Sequence, residues 1–399
     1  MIDLTNCEKL PNTYRGSEKK KRIIYNGEIY LVKFPDPIRE KGNTLSYMNN
    51  QYSEYLGCHI LDSLGIKVQE TFLAKYTENS KEKIVVACKD MTSENIELIE
   101  ISALANSITS SDEKYTTNIE DVYEIISKIE GIRNKDEILN NFWNLFVADA
   151  LIGNPDRHLD NWGLLYNRIS KEYEFSPVYD CGSCLNALLS DNEKRQCLSD
   201  INSMKNVAYN LASVYYYKGK RVFYLEIFKN PPTALKKAIK RIVPRIDLDK
   251  INSIIDNTPS LTELDKHFFK EAIKMRKEMI LDRSYSKIIK EERQQENNKD
   301  SFDDDDVTVE FEKKILYITR TEQDPAKVDY YINDRETGWM TDCGFWIDDY
   351  NFTADLKEAV KSIIKEKNIT EQILSVNEGD RFEEITGTMP ARQSGGQSM

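Results

Sequence analysis

The stretch "GNPDRHLDNWGLL", residues 153–165, places Asp156, His158, Asp160 and Asn161 within one short loop of a chain that has only 3 histidines. A further carboxylate, Asp180, follows in "SPVYDCGSCL". Asn and Asp supply hard oxygen ligands of the kind that suit Mg²⁺, an ion that keeps several waters and is usually shared with substrate phosphates. A carboxylate beside such a site, Asp156, is placed to accept a hydroxyl proton. A polar loop with one Asp and one Asn also occurs as an ordinary turn, so the elements that position these residues must carry the rest of the argument.

Upstream of the loop, Ile138, Phe142, Leu145, Phe146 and Ala150 recur at helical spacing, which predicts a helix delivering it. Near the N-terminus, "RIIYNGEIYLVKF" (22–34) reads as two strands joined at Asn26-Gly27, a dipeptide that accepts the positive φ of a tight hairpin. The second strand ends in Lys33. Tyr52, Leu56, Ile60 and Leu64 recur every fourth residue before Gly65, predicting a helix that carries Glu54. "KVQETFLAKYT" and "KIVVACKDM" read as two more strands around a polar turn at Glu78 to Lys83. Residues 1 to about 91 are thus a small sheet with one helix, after which helical patterns dominate to about 290. The order D-x-x-x-x-N, then Asp, preceded by a strand Lys and a helix Glu, resembles the layout of protein kinases. Singly, an edge-strand lysine and a helix glutamate are ordinary surface residues; their conjunction in chain order is what points to a site. "YRGSEKKK" before the hairpin offers Gly16 and Ser17 as a turn able to cradle phosphates, although a G-x-G-x-x-G loop is absent.

The 399 residues suffice for two or three domains, and 40% hydrophobic with 31% charged residues is ordinary for a globular chain. A net charge of −12 opposes a polyanion, so direct DNA binding is not expected. The basic run "LKKAIKRIVPR" (235–245) reads as a solvated helix face. Seven scattered cysteines fit reduced thiols and a cytoplasmic location. Cys181-x-x-Cys184 has no second pair to complete a structural zinc site. His59 and His267 read as packed residues. The start "MIDLTNCEKL" has no signal-peptide pattern, and no run of about 18 apolar residues predicts a membrane span. The charged stretch 290–306 reads as a linker, with 291–306 outside either domain. Beyond it, "VTVEFEKKILYITR" and "KVDYYIND" read as strands and Asp355 to Lys367 as a helix with Leu356, Val360 and Ile363 inward. This predicts a small α+β module at 307–370 and a disordered tail at 371–399.

"YRGSEKKKRIIYNGEIYLVKFP", "SEYLGCHILDSLGI", "LIGNPDRHLDNWGLL" and "SPVYDCGSCL" together resemble, in order, the HipA family of bacterial serine/threonine kinases, and the resemblance covers about 1–290. The chain is more similar to short stand-alone members than to those with an additional N-terminal domain. The resemblance implies an α+β, bilobal protein-kinase-like fold, with a β-rich N-lobe at 1–91 and a mainly helical C-lobe at 92–290, to which the C-terminal module is appended. It implies ATP and Mg as cofactors. Asp156 is then the catalytic base, Asn161 and Asp180 bind Mg²⁺, Lys33 contacts ATP phosphates and Glu54 orients Lys33. Gly16 and Ser17 form the phosphate loop, and Cys88, Lys89, Asp90 and Met91 hold adenine at the hinge. Asp149 and His158 brace the loop. The loop departs from expectation in carrying Glu18, Lys19, Lys20 and Lys21. Thr13 or Ser17 is the expected autophosphorylation site, with simple capping of the turn as the alternative. A protein acceptor is implied, and an antitoxin or regulatory protein is among the partners left open, as are the roles of toxin, effector or housekeeping regulator. A regulatory pseudokinase, or a kinase of a lipid or small molecule, stands as the alternative function.

Overall fold

The computed structural model describes all residues except 12–18, 36–48, 109–114, 301–306, 312–313, 321–326, 335–339, 347–359, 366–367, 372 and 378–399. Two units result, Met1–Ile289 and Lys290–Met399.

In the first unit, β1 (Ile2–Asp3), β2 (Glu8–Leu10), β3 (Lys20–Tyr25), β4 (Glu28–Lys33), β5 (Thr71–Glu78) and β6 (Lys81–Lys89) form one sheet in the order β1-β5-β6-β4-β3-β2. The β3–β4 turn is the expected one: Asn26 (φ 50) and Gly27 (φ 79) are both left-handed, as a two-residue hairpin requires. Successive side chains on a strand face opposite sides of the sheet, and β6 uses both. Val85 and Ala87 join Ile23, Val32, Phe34 and Tyr76 in one cluster. Val86 and Cys88 instead pack against α1 (Asn50–Ser63) and the helical lobe. Leu56, Ile60 and Leu64 of the predicted stripe are buried there, each contributing roughly 1.5–3 kcal/mol by burial. Gly65 (φ 75) ends the helix as expected.

The lobes are joined through 90–95 into β7 (Ile96–Glu100), followed by α2 (Ile101–Ile108), α3 (Ile119–Lys128) and α4 (Lys135–Ile152). From Leu145 to Ile152 every α4 residue is buried, so this helix is the axis of the lobe. Next come β8 (Gly163–Asn167), β9 (Glu172–Phe175), α5 (Asp191–Ser199), α6 (Ile201–Tyr209), β10 (Ala212–Tyr217), β11 (Lys220–Phe223), α7 (Tyr224–Lys229), α8 (Thr233–Ile242), α9 (Leu248–Asp256) and α10 (Glu263–Arg276). The β7-β8-β9 sheet and the β10–β11 hairpin lie in the stretch read as helical. Their strands are short, and a few residues of alternation are easily overlooked among helical patterns. The basic run does form the solvated face of α8, whose Leu235, Ala238, Ile239 and Ile242 are buried.

A π-helical turn at Lys277–Leu281 leads into α11 (Asp282–Asp300). The segment expected to be an unstructured linker is therefore helical to Asp300, because Lys, Glu, Arg and Gln are good helix formers and neither Gly nor Pro interrupts them. In the second unit, β12 (Val307–Phe311), β13 (Lys314–Arg320), β14 (Lys327–Asp334), β15 (Met340–Trp346) and β16 (Ile373–Asn377) form an antiparallel sheet ordered β15-β14-β13-β12-β16. Strand β16 pairs with β12 inside the stretch assigned to a disordered tail, since "ILSVN" is apolar enough to close an edge. Residues 360–365 are helical, with Val360 and Ile363 buried as expected. Leu356 lies outside the described residues. Among the described residues no helix is long and apolar enough to cross a membrane.

Candidate active site

The loop begins where α4 stops. Gly153 is left-handed (φ 69) and caps the helix, its N–H donating to the Asp149 carbonyl. A Cβ there would lie 2.4 Å from the Arg276 guanidinium carbon, so both conformation and space call for glycine. Asn154 then holds the turn: its Nδ2 donates to Asp149 Oδ1 (3.1 Å), and its Oδ1 accepts from the Asp156 N–H (3.1 Å). Asn161 closes the loop by donating from Nδ2 to the Asp156 carbonyl (2.7 Å). With its nitrogen anchored, the Asn161 amide has Oδ1 left as an oxygen that could hold a cation. Asp156 Oδ2 accepts from Ser183 Oγ at 3.3 Å. His158 Nε2 lies 3.8 Å from Asp156 Oδ1 and Nδ1 lies 3.2 Å from Asp160 Oδ2, which places His158 beside the loop carboxylates.

Arg157 organises this loop and is not among the residues expected from the sequence. Fully enclosed, it donates from Nε to Asp149 Oδ2 and from Nη2 to Asp149 Oδ1, both at 3.1 Å. Its Nη1 donates to the carbonyls of Asn161 (2.8 Å), Asp180 (3.3 Å) and Tyr179. One side chain therefore fixes the Asp156–Asn161 loop against the Asp180 segment, with Asp149 as its buried counter-ion. A signal existed in the sequence, a carboxylate at 149 and an arginine at 157 on either side of a left-handed turn, but burial is what gives it meaning.

Asp180 sits beyond an extended segment held by a single parallel bridge, Val68 to Val178, and not at the end of a regular strand; β9 has ended at Phe175. Its own φ is +58, an uncommon conformation for Asp. Glu54, buried on α1, accepts the Asp180 N–H at 3.1 Å through Oε1, and its Oε2 lies 3.3 Å from Lys33 Nζ. Lys33 Nζ also donates to Asp180 Oδ1 at 2.9 Å. The three residues chosen from different segments of sequence thus form one cluster. Helix α1 is held in register from several sides. Gly57 lets Cys181 approach, a Cβ there falling 2.5 Å from Cys181 Cβ. Ser53 Oγ donates to the Cys184 carbonyl (2.9 Å), and Tyr52 OH to the Ser260 carbonyl (2.9 Å). Cys181 and Cys184 are buried free thiols with packing roles here, and among the described residues no metal-binding group of three or more His, Cys, Asp or Glu occurs.

The carboxyls are tuned apart. Burial pushes Asp156 above its ordinary value, with His158 and the Ser183 hydroxyl opposing. Burial also acts on Asp180, but Lys33, aided by Arg157 and Lys20, outweighs it and holds that carboxyl low. The three lysines that looked out of place separate by strand alternation. Lys19 and Lys21 pair with Glu78, whereas Lys20, opposite Lys33 in the hairpin register, adds positive potential at Asp180.

At the hinge the structure narrows the expectation. Cys88 and Lys89 belong to β6, between β4 and β5. The Lys89 N–H donates to the Glu70 carbonyl, the Lys89 carbonyl accepts from Gln69 Nε2 (2.8 Å), and the Asp90 N–H donates to the Ile29 carbonyl. Sheet and turn bonds thus engage these groups, and Met91 is the first hinge residue past them. Thr13, Gly16 and Ser17 lie outside the described residues. His59 is packed as expected, with Nε2 3.1 Å from the Thr71 carbonyl and its ring against Tyr55. His267 is instead exposed on α10, because the buried positions there are Phe268 and Phe269.

A sheet-bearing lobe with a strand lysine held by a helix glutamate, set against a helical lobe that presents an Asp-containing loop, defines the protein-kinase-like class. Residues 13–246 match the family model of the HipA-like C-terminal domain, and the chain belongs to that family. It is 40% identical over 295 residues to the serine/threonine-protein kinase CtkA of Helicobacter pylori, spanning 72% of this chain and 89% of that protein. The crystal structure of CtkA, a Helicobacter pylori proinflammatory kinase, matches with a TM-score of 0.66 at 39% identity, covering 72% of this chain and 98% of that one. The chain is thus a kinase, a member of the HipA-like serine/threonine-protein kinases.

Proposed function

We propose that the protein transfers the γ-phosphoryl group of ATP to a Ser or Thr hydroxyl of a protein, itself or another, with Mg²⁺ and in the cytoplasm. The observation that carries this reading is the Lys33–Glu54–Asp180 cluster, joined through the Arg157 clamp to the loop bearing Asp156. Lys33 holds the α- and β-phosphates, and Glu54 keeps its ammonium in place. Asp156 accepts the hydroxyl proton as the hydroxyl oxygen bonds to the γ-phosphorus and the bond to the β–γ bridging oxygen breaks, leaving ADP. Its raised carboxyl suits a base, which works best when its pKa approaches the working pH. Asp180 and Asn161 fit Mg²⁺: one stays ionised, and the other keeps a carbonyl oxygen while its nitrogen is bound. Mg²⁺, when bound, offsets the charge of the phosphates and orients them. Free thiols support a reducing compartment.

The test is incubation of the full chain with γ-labelled ATP and Mg²⁺, alone and with cell lysate, followed by mapping of labelled residues. Label on Ser or Thr in wild type, reduced at least about a hundredfold in Asp156→Asn, is the expected result. A labelled 12–18 peptide, absent in the variant, supports autophosphorylation at Thr13 or Ser17. Equal labelling by both proteins removes Asp156 from the mechanism.

A further inference from the structure

The reaction as described leaves unused a cavity of about 450 Å³ that opens on Asp156 and Ser183. Its wall is apolar, formed by Pro155, Leu189, Leu211 and Val214, together with Leu188, which is 44% exposed. Such a volume admits one or two side chains of an extended segment. Arg221 stands on the cavity's rim, exposed, with Nε donating to the Ser213 carbonyl at 3.3 Å.

Behind the floor, made by Gly153 and Asn186, lies the fully buried Arg276. Its Nη2 donates to Asn186 Oδ1, while its Nε and Nη1 have no hydrogen-bond partner among the described residues. Among the described residues no carboxylate pairs with Arg221 or Arg276, and Asp156 is the single carboxylate lining the cavity. Arg221 thus carries a positive charge at the rim with no carboxylate paired to it among the described residues, which favours an acidic side chain of the occupant there. The turn presenting Leu188 is also specifically held. Leu185 (φ 56) and Asn186 (φ 55) are both left-handed; asparagine adopts this region readily, but leucine holds it only where the surroundings impose it. The Leu185 N–H to the Ile152 carbonyl (2.9 Å) and the Arg276–Asn186 bond do so here.

Resting on the kinase reading above, we propose that this cavity seats the acceptor segment and that Leu188 and Arg221 select its sequence. An apolar side chain flanking the Ser or Thr packs on Leu188, and an acidic side chain a residue or two further along pairs with Arg221. The occupant is therefore a protein segment of apolar and acidic character around the hydroxyl.

The experiment uses the full chain, ATP and Mg²⁺ with three synthetic peptides built on one serine: flanked by Leu and Asp, by Ala and Asp, or by Leu and Lys. Wild type is expected to phosphorylate the first with kcat/KM about tenfold above either of the others, the difference lying in KM. Leu188→Ala removes the preference for Leu over Ala. Arg221→Glu reverses Asp over Lys, and this rescue by the Lys peptide shows that the variant is folded. Preferences identical to wild type in both variants overturn the proposal, as does a wild type that does not discriminate among the peptides. ATP consumption without labelling of any peptide overturns the acceptor site alone, whereas neither consumption nor labelling sinks the kinase reading and the proposal with it.

Discussion

The Asp149–Arg157 pair and the Lys33–Glu54–Asp180 group both bear on the position of Asp180, yet they are built on opposite plans. In the first, both side chains are 2% exposed and meet through two parallel bonds, with three backbone carbonyls accepting from Nη1 and Cys181 Sγ accepting the remaining Nη2 donor at 3.4 Å. In the second, a single ammonium is shared between a carboxylate 1% exposed and another 39% exposed. A fully enclosed, fully bonded pair has one geometry and no competitor for its partners. A shared, partly solvated lysine can give up one carboxylate to a ligand while keeping the other. The difference teaches which part is scaffold and which part can respond: Arg157 fixes the backbone at Asp180, and on the proposed reading Lys33 and the Asp180 side chain are the groups left to meet phosphate and metal.

The strongest way to break that division is Arg157→Met. It leaves Asp149 enclosed with only Asn154 to satisfy it, and removing one partner of a buried pair costs about 3–5 kcal/mol. The urea midpoint should fall accordingly, and Arg157→Met with Asp149→Leu should recover part of the loss. If Arg157→Met unfolds as wild type does, the pair is not the scaffold. Asp180→Asn tests the other cluster. Because Glu54 still holds Lys33, stability should change by about 1 kcal/mol or less. Mg²⁺-dependent ATP binding should weaken, and phosphoryl transfer should fall about a hundredfold, equivalent to about 2.7 kcal/mol. Glu54→Gln is milder still. The amide oxygen can still accept the Asp180 N–H, but the amide NH2 then faces the Lys33 ammonium, so Lys33 loses both the charge and the acceptor on that side while Asp180 still holds it, and a roughly tenfold fall in kcat/KM with an unchanged fold is expected. Measured together by calorimetry and label transfer, the three variants should separate stability from activity in that order.

How much of this was legible depends on what kind of information each residue carries. Asp156, Asn161 and Asp180 announce themselves by spacing, and Lys33 and Glu54 by lying on a strand and a helix that periodicity already predicts. Arg157 does not, because between two polar neighbours it looks like one more surface charge, and its burial arises from a fold the local pattern does not contain. The lysines at 19 and 21 looked anomalous for the complementary reason: their partner, Glu78, is distant in sequence and adjacent only in the sheet. The β10–β11 hairpin was available, since Lys218-Gly219 separates two aromatic-rich runs, and both residues adopt positive φ. The surrounding helical patterns mask it. The cavity beside Asp156 was beyond reach, because Leu188 and Arg221 are brought to it from separate elements.

The subtlest contrast is between Asp156 and Asp180 as acids. Both start from an ordinary value of 3.8, but burial raises the first, while Lys33 and its neighbours overcome burial and lower the second. As the proposed base, Asp156 would work only when ionised, so activity should be lost as pH falls through a value above 3.8, giving kcat/KM an acid limb displaced upward. Asp180 carries the opposite sign: its contribution to stability is present above 3.8 and is lost only as pH falls through its depressed value. The two carboxyls therefore titrate in separate windows, and the enzyme should become inactive on acidification while the Lys33–Asp180 contact persists. Replacing His158, which holds Asp156 down against burial, should move the limb further up in His158→Gln without altering near-UV circular dichroism. A limb at or below 3.8, or one that His158→Gln moves downward, would show that another group sets the acid side of the profile and that Asp156 is not the base.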